Sequence, residues 1–188
     1  MSRLRREDWC TAGLALLRDE GAQALTLEGL CNFLHRTKGS FYHHFQNMEA
    51  FLGSLLERWE EALTGTPIQL AGLGKGAAGH QQVLDAAVRT HDHRLDCALR
   101  AWALWDPRAR LAMARVDRRR LADLVELHRG KGHPAPRIAA ELEYAAFVGA
   151  QQLGFFAEPE RAERFGSALR KALQATGSPK PVIPKRSS

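Results

Sequence analysis

The chain has 188 residues, 45% of them hydrophobic, and a formal net charge of +6, which is enough apolar content to bury the core of one or two domains. No apolar run reaches the about 18 residues of a membrane span, and the N-terminus MSRLRREDW lacks the apolar segment of a secretory leader. The expectation is a cytoplasmic protein with no membrane partner. Cys10, Cys31 and Cys97 are odd in number, far apart and without CxxC or zinc spacing, which argues against a disulfide framework, a metal site or a redox centre.

A first helix is predicted over residues 5–20, with Trp9, Gly13, Leu16 and Leu17 on one face and Gly21 as its stop. Thr26 is placed to cap a second helix over 27–34. There Glu28 lies near the positive end of the dipole, and Leu27, Leu30, Cys31 and Leu34 form one apolar stripe. Thr37 is placed to cap a third helix over 38–45, which hides only Phe41 and Phe45. Asn47 is placed to cap a long fourth helix whose apolar face runs through Phe51, Leu52, Leu55, Leu56, Trp59 and Leu63.

Residues 64–80 break this pattern with glycine, proline and small residues and read as a connection. Gly74, Gly76 and Gly79 match the dinucleotide-binding spacing, but that fingerprint needs a preceding strand, and the chain before it is helical. Helices resume over 81–91 and 95–105, the latter with Leu95, Leu99, Trp102 and Trp105 inward. Asp106 then caps a helix that opens on Pro107 and continues to about 128 through Leu111, Val116, Leu121, Leu124 and Leu127. Ile138, Leu142, Ala145, Ala146, Gly149, Leu153 and Phe156 mark a helix over 137–156. Ala162, Phe165, Leu169 and Leu173 mark one that opens at Pro159. Residues 178–188, with three prolines, Lys180, Lys185 and Arg186, read as a flexible basic tail. No two-residue alternation is sustained, so the fold class is all-α, with about nine helices.

The second and third helices together suit helix-turn-helix recognition. A short helix with two buried anchors leaves Lys38, Ser40, Tyr42, His43 and His44 for hydrogen bonding, which fits the major groove of DNA. The total charge adds little, since residues 1–47 hold six cations against five carboxylates. Placement matters more. Arg3, Arg5 and Arg6 precede the first helix, and residues 35–44 contain no acid. Thr26 and Thr37 start helices whose amides can meet phosphate, Arg36 stands at the turn, and a reading helix of eight residues spans about 12 Å. So short a reader discriminates poorly alone, which points to two copies on two half-sites.

Thr26-Leu27, Leu30-Cys31, Leu34 and the run Thr37-Lys38-Gly39-Ser40-Phe41-Tyr42-His43-His44-Phe45 resemble the DNA-binding signature of the tetracycline-repressor (TetR) family of bacterial transcription regulators. The resemblance covers about residues 1–52. Beyond it, the likeness is one of helix count and layout, with a weaker echo at Arg100–Ala103, Asp106-Pro107 and Arg115–Asp117. It implies a helix-turn-helix domain at 1–47, a larger helical domain at 48–177 that dimerises and holds a small-molecule effector, and an operator of double-stranded DNA. It also implies phosphate contacts from Thr37 and Tyr42, a place near the DNA for Lys38, Ser40 and His43, and close backbone approach at Gly39. The dimer interface implied lies on the last two helices, where Ala145, Ala146, Gly149 and Gly154 would let helices approach; those small residues also suit packing inside one chain.

The chain departs from the family pattern in three places. His35 and Arg36 stand where a glycine and an apolar residue are usual, and Met48 stands where Lys or Arg is common. An effector pocket is expected among Leu99, Trp102, Trp105, Met113, Phe147 and Phe155, residues that a core would equally use. His91, Asp92, His93 and Arg100 are its polar candidates. A metal site at His91-Asp92-His93 is disfavoured because side chains two apart diverge on a helix. No nucleophile–base pair or paired carboxylates support an enzyme, and no cofactor is implied. Besides a repressor, the alternatives are a helical dimeric interaction protein with weakened DNA binding, or a small enzyme using the same His and Asp residues.

Overall fold

The computed structural model describes residues 4–64, 85–86 and 88–176, so the glycine-rich stretch and residues 81–84 and 87 of the helix expected at 81–91 lie outside the described residues. Among those described, every regular element is helical. The α-helices are α1 (Arg6–Glu20), α2 (Leu27–Leu34), α3 (Lys38–Tyr42), α4 (Met48–Thr64), α5 (His93–Ala103), α6 (Pro107–Gly130), α7 (Pro136–Gln152) and α8 (Pro159–Thr176). Short 3-10 turns cover Ala22–Ala24 and Phe155–Ala157. The chain divides into two compact units, Met1–Arg120 and Leu121–Ser188, and α6 runs through the division.

In the first unit one core joins α1 to α6. Trp9, Leu17, Leu30, Phe41, Phe51, Leu55 and Leu99 are almost fully buried, with Leu16, Trp59, Trp102, Met113 and Val116 packed among them. The caps expected from sequence form. Asn47 Oδ1 accepts the Ala50 N–H at 2.8 Å, and Asp106 Oδ1 accepts the N–H groups of Arg108 and Ala109 at 2.8 and 3.3 Å. Each satisfies backbone donors that have no partner inside the helix. Gly13 lets α1 approach α4 closely, because a Cβ there would lie 2.5 Å from Leu55 Cδ1.

Charged pairs cross the gaps between helices. The Asp96 carboxylate of α5, with no exposed side-chain surface, accepts from Arg120 of α6 at 2.8 and 3.2 Å and lies 3.3 Å from His91 Nε2. Burial pushes this carboxyl up, but the hydrogen bonds from His91 and Arg120 outweigh it and hold the group well below the usual carboxylate range. One turn along, Arg100 binds Asp117 through two bonds of 2.7 and 3.1 Å. At the other end of α5, Arg18 faces Asp92 at 3.5 Å and Arg94 faces Asp19 at 3.7 Å, so α1 and α5 exchange opposite charges.

In the second unit Leu127, Ala139, Ala140, Tyr144, Ala150 and Leu173 are buried. The buried His128 ring lies 2.7 Å from Glu143, and His133 Nε2 lies 3.1 Å from the Leu173 carbonyl, linking the α6–α7 connection to α8.

Three expectations about inward faces change. Ile138, Leu142 and Leu153 are 56%, 50% and 67% exposed, while Ala139, Ala140, Tyr144 and Ala150 turn inward. The helix is apolar on two sides, and periodicity cannot say which one meets the core; the alanine side permits the closer packing. Trp105 follows the end of α5 and is 63% exposed rather than inward, and Leu111 is 62% exposed.

Candidate DNA-binding surface

α2 opens at Thr26, whose hydroxyl oxygen accepts the Gly29 N–H at 3.0 Å. It closes in a Schellman arrangement, with the His35 N–H on Asn32 O at 3.2 Å and the Arg36 N–H on Cys31 O at 2.9 Å. His35 holds the left-handed conformation this closure needs, at φ 51°, where glycine is the usual residue. The unusual turn foreseen at His35-Arg36 is therefore a conventional turn built with an unconventional side chain.

Thr37 Oγ1 accepts the Ser40 N–H at 3.3 Å and begins α3. The helix spans five residues rather than the eight expected. The chain turns after Tyr42 so that Phe45 can enter the core and Asn47 can cap α4. Helical bonding persists through the turn, since the N–H groups of His43 and Phe45 reach the carbonyls of Gly39 and Phe41 at 3.1 and 3.0 Å. Phe41 anchors this short piece. Its ring centroid lies 5.4 Å from Trp9, 5.3 Å from Phe45 and 5.7 Å from Phe51, so α1 and α4 both hold α3 in place.

The anchors face inward and the remaining side chains face out. Tyr42, Lys38, Gly39 and His43 are exposed, as are the caps Thr26 and Thr37, while Ser40, Arg36 and His44 are half-buried. The structure thus brings all nine predicted contact residues onto the α2–α3 element and its turn. A Cβ at Gly39 would have Thr37 Oγ1, at 3.8 Å, as its nearest contact, so the backbone there is open to close approach. No carboxylate occurs between Glu28 and Glu49 in the sequence, which leaves this face free of fixed negative charge of its own.

The arginines at the start of α1 behave differently from one another. Arg5 is exposed beside Asp8. Arg6 lies over the Phe45 ring, 4.8 Å from its centroid, and donates to Ser54 Oγ at 2.5 Å. It joins α1 to the end of α3 and to α4, a supporting role that its place in a basic run does not reveal. Met48 is half-buried against the core.

The residues proposed for an effector fall in both units. In the first, Leu99, Trp102 and Met113 are 1%, 2% and 5% exposed in the core, and Trp105 is outside it. In the second, Phe147 stacks on Tyr144 at 6.2 Å, and Phe155 meets Phe165 edge-on at 5.3 Å beneath the Arg161 guanidinium. The His91 and His93 rings come within 5.2 Å, because His91 precedes the cap of α5 instead of sharing its helix. Among the described residues no group of three His, Cys, Asp or Glu side chains is arranged to hold a metal. Burial pushes the thiols of Cys10, Cys31 and Cys97 up, which disfavours the reactive thiolate. No described helix is long and apolar enough to cross a membrane.

Residues 11–55 match the family model for bacterial regulatory proteins of the tetR family. The whole fold resembles solved structures. Reduced NemR of E. coli is 26% identical, with a TM-score of 0.65 over 91% of this chain and 95% of that one. SmeT, described as the repressor of the Stenotrophomonas maltophilia multidrug efflux pump SmeDEF, is 20% identical, with a TM-score of 0.66 over 98% and 96%. The ketosteroid transcriptional regulator KstR2 of Mycobacterium tuberculosis is 15% identical, with a TM-score of 0.68 over 96% and 98%. No curated protein sequence matches the chain.

Proposed function

From the premise that this chain is a TetR-family, DNA-binding transcriptional regulator, we propose that it binds a palindromic operator as a homodimer, represses from that site and is released by a small apolar or amphipathic effector. The observation that carries the reading is the outer face of α3. Two buried phenylalanines hold a short helix whose exposed side is rich in donors and lacks acids. Lys38 and His43 are assigned to base edges with Ser40. Thr26, Arg36, Thr37, Tyr42 and His44 are assigned to the phosphates on either side, and Gly39 to close backbone approach.

Five helical residues cover few base pairs, so two heads on two half-sites supply the discrimination that one lacks. The exposed Ile138 and Leu142 of α7, with Leu153 just after its end, support a second copy as the partner, since large aliphatic side chains grouped on a surface are costly to leave in water. Repression is carried over from the SmeT comparison. The working compartment is the cytoplasm, where the DNA is.

Selection of duplexes from a randomised library by the purified protein tests the reading. A palindromic motif should be enriched, its binding should weaken steeply with salt, and a panel of apolar and amphipathic compounds should contain one that releases it. A library from which no motif emerges sinks the proposal. Compounds that bind without changing operator affinity remove the effector.

A further inference from the structure

We propose that the corner between α5 and α6 is a docking surface for an acidic, amphipathic segment of a second protein. Leu104 and Trp105 stand at the corner itself. Among the described residues no large apolar side chain is more exposed than Leu104, at 79%. From there the outward line of α6 runs through Pro107 and Leu111 to Ala114, opposite the buried Ala109, Ala112, Met113 and Val116. The apolar strip on α6 is short, since the seven steps from Pro107 to Ala114 rise about 10 Å.

The corner is braced. The N–H groups of Trp105 and Asp106 both bond the Trp102 carbonyl, at 3.2 and 3.0 Å. Asp106 is buried and caps α6. The Arg110 guanidinium folds back onto the Ala103 and Leu104 carbonyls at 3.2 and 3.1 Å, closing the end of α5. A tryptophan held outward on such a backbone loses little freedom when it is covered, and Trp and Arg are prominent among the anchors of protein interfaces.

Charge selects the occupant. Residues 107–120 hold six arginines and one carboxylate, Asp117. Asp117 is turned to Arg100, Asp106 is buried, and Glu49 and Glu60 of α4 face Arg108 and Arg115. The outward line ends at the exposed Arg118, with Arg110 on its flank. The surface therefore joins aliphatic and indole groups to positive charge. A nucleic acid would answer the arginines and leave Leu104 and Leu111 in water. A second copy carries the same sign, at a net +6. A helix that lies in a bilayer surface presents a far longer apolar face than about two turns. An acidic segment with Leu, Phe or Trp beside its carboxylates meets both halves.

The test selects peptides from a randomised phage-displayed library against the full-length protein, then measures the enriched peptides by fluorescence anisotropy. They should be acidic and rich in Leu, Phe or Trp, and salt should weaken their binding. Leu104→Ser, Trp105→Ala and Arg118→Glu should each weaken it about tenfold or more. Melting temperatures should stay close to wild type, because all three side chains are exposed. A selection that yields no peptide, or peptides without an acidic bias, overturns the proposal. So does binding that survives both Leu104→Ser and Trp105→Ala. Binding to phosphatidylglycerol vesicles in place of peptides, lost in Trp105→Ala, would give the surface to lipid. A lower sedimenting mass for Trp105→Ala would give it to a second copy. Either result overturns the proposal as well.

Discussion

Replacing Arg120 with Met removes the main partner of a carboxylate that has no exposed surface. Breaking a buried ion pair from one side costs about 3–5 kcal/mol, because the remaining charge stays out of water. Two features place this case at the lower end. Arg120 is 20% exposed, and His91 remains 3.3 Å from Asp96. The expected loss is about 2–4 kcal/mol, or roughly 4–16 °C in melting temperature for a chain of this size. The sign of the pH dependence follows from Asp96. In wild type its carboxyl is held below the usual range, so its contribution is present above about pH 4 and is lost as acid titrates the folded state. Without Arg120 the carboxyl protonates more readily, so the gap between variant and wild type narrows on acidification from neutral pH. Urea and thermal unfolding at several pH values measure this. The double change Asp96→Leu with Arg120→Met should cost less than Arg120→Met alone, since neither charge is then stranded. An Arg120→Met protein within about 1 kcal/mol of wild type, or a gap that widens with acid, refutes the reasoning.

Phe41→Ala should destabilise the first unit by about 3–5 kcal/mol in urea unfolding, since the ring is fully buried among Trp9, Phe45 and Phe51, and operator binding should be lost with the anchor. His35→Gly should stabilise by about 0.5–1 kcal/mol: relief of the left-handed conformation, about 1–2 kcal/mol, exceeds the cost of a looser unfolded chain. A lower melting temperature would show that the imidazole itself holds the turn. Lys38→Ala should change base preference in a new library selection and flatten the salt dependence, whereas Tyr42→Ala should weaken all duplexes alike; unchanged binding in both variants removes α3 as the reader. Ile138→Glu with Leu142→Glu should yield monomers in sedimentation analysis at undiminished helix content, and dimers that persist would move the interface off this face of α7.

Local chemistry made much of this protein legible in its sequence. Thr26, Thr37, Asn47 and Asp106 each cap the helix they precede, because a cap depends on residues three or fewer positions away. The exposed side of α3 was legible for the same reason: with Phe41 and Phe45 as anchors, the outward positions of Lys38, Tyr42 and His43 follow from helical geometry alone. The length of α3 was not legible. It is decided by where Phe45 must go to reach a core shared with α1 and α4.

The same division holds for charges and apolar faces. Arg6 reads as one more cation in a basic run, and only the packed structure turns it toward Phe45 and Ser54. Asp96 meets Arg120 across 24 positions of sequence, a pairing that no local pattern encodes. α7 carries two apolar faces, and its amphipathic period fits either of them equally well. Which face is spent on the core and which is left outward depends on the shape that the rest of the chain presents, and that shape exists only after folding.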